Sequence, residues 1–364
     1  MRAHWIFGPQ PSALSPLYAT DPMNPVHAHL ELPEATLASY LEANVTGFRG
    51  PLTATKFKGG QSNPTYLIET DSGRYVLRRK PAGKLLASAH AVDREFRVLR
   101  ALSGSAIPVA QPIHLCADDS VIGSMFYLMS YVPGRIFWDP ALPDLPPDQR
   151  AAHFEAAVDT LAALARLDVA GAGLGDYGRP GNYFARQVAR WSEQYRAAET
   201  GRIEAMEMLI GWLPGNVPPD EGRVALVHGD FRIDNLIWSG EAPIIAAIVD
   251  WELSTLGHPL ADLAYFCMAL RLPSNPVLPG LAGSDRAALG IPDETAMIER
   301  FAAATNLDPR PHWNFLLAFG FFRLAAIAQG VLKRALQGNA SSEQALAAGR
   351  MTGAIAELGA SVAH

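Results

Sequence analysis

Residues 226–238, LVHGDFRIDNLIW, crowd His228, Asp230, Arg232, Asp234 and Asn235 between apolar flanks. Asn235 lies five residues past Asp230, too far for one strand face and near enough for a single loop. Asp250 closes another apolar run, IIAAIVD, fifteen residues past Asn235. An Asn and an Asp at the ends of buried strands can aim oxygen atoms at one cation. Hard oxygen donors favour Mg²⁺, which needs only one or two protein groups beside phosphates and water. Asp230 then remains to accept a proton from a hydroxyl. A carboxylate that orients the nucleophile, metal ligands, and a cation near the phosphate are the parts of phosphoryl transfer.

These side chains need short strands to hold them. VALVHG, NLIW and IIAAIVDW read as apolar runs set among helices. Upstream, TATKFKGGQSNPTYLIET (53–70) predicts two strands joined by a glycine-led turn, and RYVLRRK (74–80) a third after Asp71-Ser72-Gly73. QPIHLC (111–116) and SMFYLMSYV (124–132) predict two more, closed by Pro133-Gly134. Leu37, Leu41 and Val45 mark a helix over 32–45, and Val92, Phe96, Leu99 and Leu102 one over 88–102. After Pro133 helices dominate: 150–167, with Phe154, Val158, Leu161 and Leu164 on one face, then 182–195, 205–213, 260–270, 294–305, 312–336 and a segment near 341–358. Strands first and helices after make the fold class α+β, a small, mostly antiparallel sheet lobe followed by a larger helical one. Alternation along the third strand puts Val76 and Arg78 on one face and Leu77 and Arg79 on the other. Arg78 is the expected inward cation, with Arg79 and Lys80 as surface or loop charges.

Composition narrows the classes. The 364 residues are 49% hydrophobic and carry a net charge of −6, which argues against a nucleic-acid partner. Cys116 and Cys267 lack CxxC spacing, so neither a disulfide framework nor a zinc site is expected, and a reducing cytoplasm fits. No unbroken apolar run of about 18 residues occurs, so no membrane span is expected. The proline-rich start does not read as a secretory signal. It reads as a flexible arm over 1–23, or as an over-long start with Met23 as initiator. The phosphate loop GxxxxGK[ST] is absent, and GAGLGD (171–176) has no preceding strand, so neither nucleotide motif applies.

HGDFRIDN resembles the catalytic loop of the aminoglycoside phosphotransferase and choline kinase families, relatives of the protein kinases, which read H-R-D-x-x-x-x-N at that place. IVDWE resembles their metal-binding segment and HPLADLAY the helix start that follows. The resemblance runs from about residue 30 to the end. It implies a bilobal protein-kinase-like fold, with an N-lobe over 24–132 and a C-lobe over 133–364. It implies Asp230 as catalytic base, Asn235 and Asp250 as Mg²⁺ ligands, Arg232 as a charge near the γ-phosphate, and His228 and Asp262 as supports of the loop. For ATP it implies phosphate cover from the turn residues Gly59, Gly60, Gln61, Ser62 and Asn63, Arg78 paired with Glu95, and an adenine-facing hinge at Met129, Tyr131 and Val132.

The acceptor is less defined. DYGRPGNYFARQVARWSEQY (176–195) resembles a subgroup that includes the kinase-like domain fused to some acyl-CoA dehydrogenases. That implies a small-molecule hydroxyl acceptor such as a hydroxylated acyl metabolite, with Arg179, Asn182, Tyr183, Arg186 and Trp191 on the acceptor side. An aminoglycoside kinase, which should show clustered acids in its cleft, and a nucleotide-binding module without turnover are the alternatives.

Overall fold

Alternating burial builds the first sheet. In a computed structural model, residues 32–57, 63–81, 91–240, 242–275, 278–337 and 343–363 are described. The arm over 1–23 and residues Gly59, Gly60, Gln61 and Ser62 lie outside them. The chain divides into two units. The first comprises residues up to Ile136 with Ile237–Gly240 and Ala246–Glu252, and the second comprises Phe137–Leu236, Glu241–Ile245 and the chain from Leu253.

The first unit holds strands β1 (Leu52–Lys56), β2 (Thr65–Thr70), β3 (Gly73–Arg79), β4 (Pro112–Cys116) and β5 (Phe126–Ser130) in the order β1-β2-β3-β5-β4. All neighbours are antiparallel. Tyr66 and Ile68 on β2 and Leu77 on β3 face a core shared with Phe126, Leu128 and Cys116. Helix α1 (Glu34–Asn44) closes that core through Leu37 and Leu41. Helix α2 (Val92–Leu102) buries Val92, Phe96, Leu99 and Leu102, and Glu95 with them. Arg78 pairs across to Tyr127 and Val76 to Met129, which sets the register around the β3 cation.

The second unit is mostly helical. Its helices are α3 (Pro147–Ala165), α4 (Tyr183–Ala198), α5 (Glu204–Trp212), α6 (Leu260–Cys267), α7 (Arg286–Leu289), α8 (Glu294–Thr305), α9 (Trp313–Leu336), α10 (Glu343–Arg350) and α11 (Thr352–Val362). The segment expected near 341–358 is two helices, because the chain turns at Met351. Strand β6 (Ala225–Val227) pairs antiparallel with β9 (Thr255–Gly257). Between them in sequence, β7 (Leu236–Trp238) and β8 (Ile245–Ile248) form a hairpin that belongs largely to the first unit.

One helix bears on the membrane expectation. The stretch Arg310–Leu336 is long and apolar enough to cross a membrane by length and composition, with a mean hydropathy of 1.9 in its best window. It is a core helix here: 72% of that window is buried within the protein. Helix α9 packs against α4, α6 and α11. Its Gly320 lies against Met268, where a side chain would collide with the thioether.

Candidate active site

The Asp230 loop begins where β6 ends. Gly229 takes φ of 86°, and a Cβ there would lie 2.8 Å from the Leu253 carbonyl, so only glycine fits. Asp262, in the first turn of α6, accepts the His228 N–H at 2.6 Å and the Gly229 N–H at 2.9 Å. Burial pushes the Asp262 carboxyl above its ordinary value, opposed by His228 and those two amides. His228 is fully buried, and its Nδ1 accepts the Asp230 N–H at 3.1 Å.

Five residues from Asp230 the chain completes a single 3₁₀ turn, Ile233–Asn235, and brings the amide back. Asn235 Nδ2 donates to the Asp230 carbonyl at 2.8 Å and to its carboxylate at 3.1 Å. Arg232 lies 3.5 Å from the Asp230 carboxylate and 2.9 Å from Asp234. Tyr265 donates to Asp230 from the next helix. Burial raises the Asp230 pKa, but Arg232, the Tyr265 hydroxyl, His228 and Arg323 outweigh it and hold the carboxyl below its ordinary value. The side chain keeps 21% of its surface exposed, so the carboxylate is both ionised and reachable.

Beside the loop lies a pocket whose space, open solvent included, is about 580 Å³. Arg232, Asp234 and Tyr265 form its polar side, and Phe266, Met268 and Leu272 are among its apolar walls. Trp138, 60% exposed, stands at its lining. Asp234 is the one acid among the described lining residues.

In the first unit, Arg78 is a buried hub. Its Nε lies 2.8 Å from Glu95, and Nη2 reaches Asp250 at 2.6 Å and Glu252 at 3.4 Å. Glu95 also accepts Asn63 Nδ2 at 2.7 Å and the Tyr127 hydroxyl at 3.1 Å. Burial pushes Glu95 up and the Arg78 cation pulls it back. Asp250 sits at φ 66°, a left-handed conformation rare for a residue with a side chain, and remains about one-third exposed at 32%. Met129 lies in β5, whereas Tyr131 and Val132 follow the strand end, and the Arg74 guanidinium covers the Tyr131 ring at 4.4 Å.

Arg79 departs from the expected surface charge. It is 4% exposed, and its Nε donates to Ser124 at 3.0 Å. Burial lowers its pKa. The strand face opposite Arg78 is the core face, so its charge must find a buried hydroxyl.

Of the residues expected on the acceptor side, Arg179, Asn182 and Tyr183 line a second cleft with Asp220 and His258, about 400 Å³ with its solvent-open part, while Arg186 and Trp191 are not among its lining residues. Much of their polar capacity is used locally. Arg186 donates to the carbonyls of Arg179 at 2.5 Å and Pro180 at 3.3 Å, and Asp220 accepts the Asn182 N–H at 2.6 Å. Arg186 therefore braces its own loop. Tyr183 is 8% exposed, and burial pushes its phenol up to about 12. Trp191 is buried as well, its Nε1 donating to Gln187 at 3.1 Å.

The structure thus brings together Asp230, Arg232, Asn235, His228 and Asp262 in one unit, and Asn63, Arg78, Glu95 and Asp250 in the other. Reading the sequence missed Tyr265, Tyr127 and Arg323. Tyr265 follows Asp262 by one helical turn, and Arg323 is a lone charge inside an apolar helix, so both left a signal; Tyr127 left none. In each unit one side chain offers a hard oxygen of the kind Mg²⁺ accepts. Asn235 commits its amide nitrogen to Asp230, which leaves a carbonyl oxygen as donor, and Asp250 offers a partly exposed carboxylate.

Residues 53–299 match the model of the phosphotransferase enzyme family. A solved protein from Ralstonia eutropha, assigned to the aminoglycoside phosphotransferases, is 44% identical with a TM-score of 0.83, covering 92% of this chain and 98% of that one. The chain belongs to the phosphotransferase enzyme family, and its α+β fold is the one that resemblance implied. Acyl-CoA dehydrogenase family member 10 of Mus musculus is 46% identical over 336 residues, covering 92% of this chain and 31% of its own length. Acyl-CoA dehydrogenase family member 11 of Rattus norvegicus is 41% identical over 329 residues, covering 89% of this chain and 42% of its own. The chain therefore spans well under half of these relatives. A ternary complex of the aminoglycoside phosphotransferase APH(4)-Ia with ADP and hygromycin B, 14% identical with a TM-score of 0.58, covering 90% of this chain and 98% of that one, shares the fold.

Proposed function

We propose that this chain transfers the γ-phosphoryl group of ATP to a hydroxyl of a small molecule, with Mg²⁺ and with Asp230 as base. The observation that supports this best is the Asp230 carboxylate itself, ionised by its neighbours, partly exposed, and in contact with Arg232 and Tyr265, which line a pocket. In the reaction the acceptor O–H gives its proton to Asp230 while its oxygen bonds to the γ-phosphorus. The bond from that phosphorus to the bridging oxygen breaks, and ADP leaves. Asn235 and Asp250 are the residues proposed to hold Mg²⁺, which when bound neutralises charge on the phosphate oxygens. Arg78, kept charged by Glu95 and Asp250 against its burial, is the cation proposed for the nucleotide phosphates. The ADP and AMP-PNP complexes of APH(4)-Ia support ATP as donor.

For the acceptor, an apolar-walled pocket lined by Arg232 and Tyr265, the neighbours of Asp230, and the names of the acyl-CoA dehydrogenase relatives support a hydroxylated acyl molecule. A polycationic aminoglycoside calls for several free carboxylates, and among the described lining residues the one acid, Asp234, is ion-paired to Arg232. The test is a panel of hydroxylated acyl compounds and aminoglycosides incubated with γ-labelled Mg-ATP. Label should pass to an acyl hydroxyl, and Asp230→Ala should abolish transfer while Mg-ATP binding persists. Full activity in that variant would refute the base, and label passing only to aminoglycosides would overturn the acyl acceptor. Mg-ATP binding without transfer to any compound would leave a nucleotide-binding module.

A further inference from the structure

One peptide unit in the loop is held at both ends. The Asp230 N–H donates to His228 Nδ1 at 3.1 Å. The carbonyl of the same unit, that of Gly229, accepts from Arg323 Nη2. A trans peptide is planar, so two anchors fix its plane and the direction in which the chain enters Asp230.

Arg323 is an unusual choice for its place. It lies within α9, 6% exposed, amid buried Phe321, Phe322, Ala325 and Ala326. A buried cation is costly unless fully engaged. This one lies 5.6 Å from the Trp191 ring and 5.3 Å from the Tyr265 ring, the same tyrosine that bonds Asp230. Apolar packing of α9 needs no charge at this position. What the guanidinium adds is the bond to Gly229, made from a cation that lies over two aromatic rings.

We propose that Arg323 is a positioning residue for phosphoryl transfer: it locks the Gly229–Asp230 peptide and thereby the aim of the Asp230 carboxylate. This rests on Asp230 being the base. Lysine can carry the charge but lacks the planar fork that both stacks and donates.

The experiment uses the full chain with Arg323→Met, Arg323→Lys and Asp230→Ala. Two readouts are taken: steady-state transfer with Mg-ATP, and backbone amide hydrogen exchange. Arg323→Met should lower kcat about 100-fold, the scale of an ångström-level misplacement of a reacting group, with KM for ATP unchanged. Arg323→Lys should recover part of the rate. Amides of 228–231 should exchange faster in both variants while those of α9 keep wild-type protection. Wild-type kcat in Arg323→Met, or unchanged exchange at 228–231, overturns the proposal. If Arg323→Met loses protection throughout α9, the lysine variant decides: wild-type kcat there overturns it, and a lowered kcat with α9 intact supports it. If Asp230→Ala keeps the wild-type rate, or the wild type transfers nothing, the base assignment fails, and exchange at 228–231 alone decides whether Arg323 locks the loop.

Discussion

At the scale of single residues, two opposing effects act on Asp230. Burial favours the neutral acid, while Arg232 leads the groups that favour the carboxylate. A base must be ionised to work, so transfer should fade as pH falls through the Asp230 pKa, which lies below the ordinary aspartate value. The wild-type kcat profile should therefore be flat through the usual carboxylate range on its acid side. Arg232→Gln removes the strongest cause of that depression, and burial should then carry the acid limb to higher pH. Superimposable acid limbs in the two proteins would show that Arg232 does not set the ionisation. The spacing of Asp230, Arg232 and Asn235 was readable because a one-turn loop keeps residues near in sequence near in space. Arg323 was not assignable the same way: its bond to Gly229 spans 94 positions, and only its solitary charge stood out.

Among the elements, β3 and α2 depend on each other through one buried ion pair. Glu95 is 2% exposed and Arg78 10%, and Tyr127 and Asn63 complete the carboxylate's bonding. Arg78→Met strands the Glu95 charge, so it should destabilise the protein by about 3–5 kcal/mol. Adding Glu95→Gln to it should recover much of that loss, because a neutral amide is cheaper to bury. Urea midpoints for the single and double variants measure both, and a double variant no better than Arg78→Met would remove the pair from the account. Helical periodicity marked the helices, and alternation put Arg78 and Arg79 on opposite faces of β3. Alternation does not say which face meets the core and which the ion-pair network, so Arg79 looked like a surface charge when Ser124 in fact holds it inside. The turn at Met351 is equally silent in the periodicity, since small residues on both sides suit one helix as well as two.

For the whole molecule, composition argued against a nucleic-acid partner and a membrane span, but hydropathy alone fits Arg310–Leu336 to a span as well as to a core helix. That distinction came from what covers Trp313–Leu336. The proposed function makes a prediction at this scale that does not depend on knowing the acceptor. A ligand that binds only the folded chain raises its stability, by about 2.7 kcal/mol at a hundredfold excess over Kd. Mg-ATP should therefore raise the melting temperature measurably, and chelating Mg²⁺ should shrink the rise, since Asn235 and Asp250 are proposed to act on the nucleotide through the metal. Asp230→Ala should keep the full rise, because the base acts on the acceptor's proton. Arg78→Met should lose most of it beyond any drop in the unliganded melting temperature. Equal shifts in all three proteins, or a shift indifferent to Mg²⁺, would separate nucleotide binding from these residues and leave the phosphoryl-transfer assignment without its donor half.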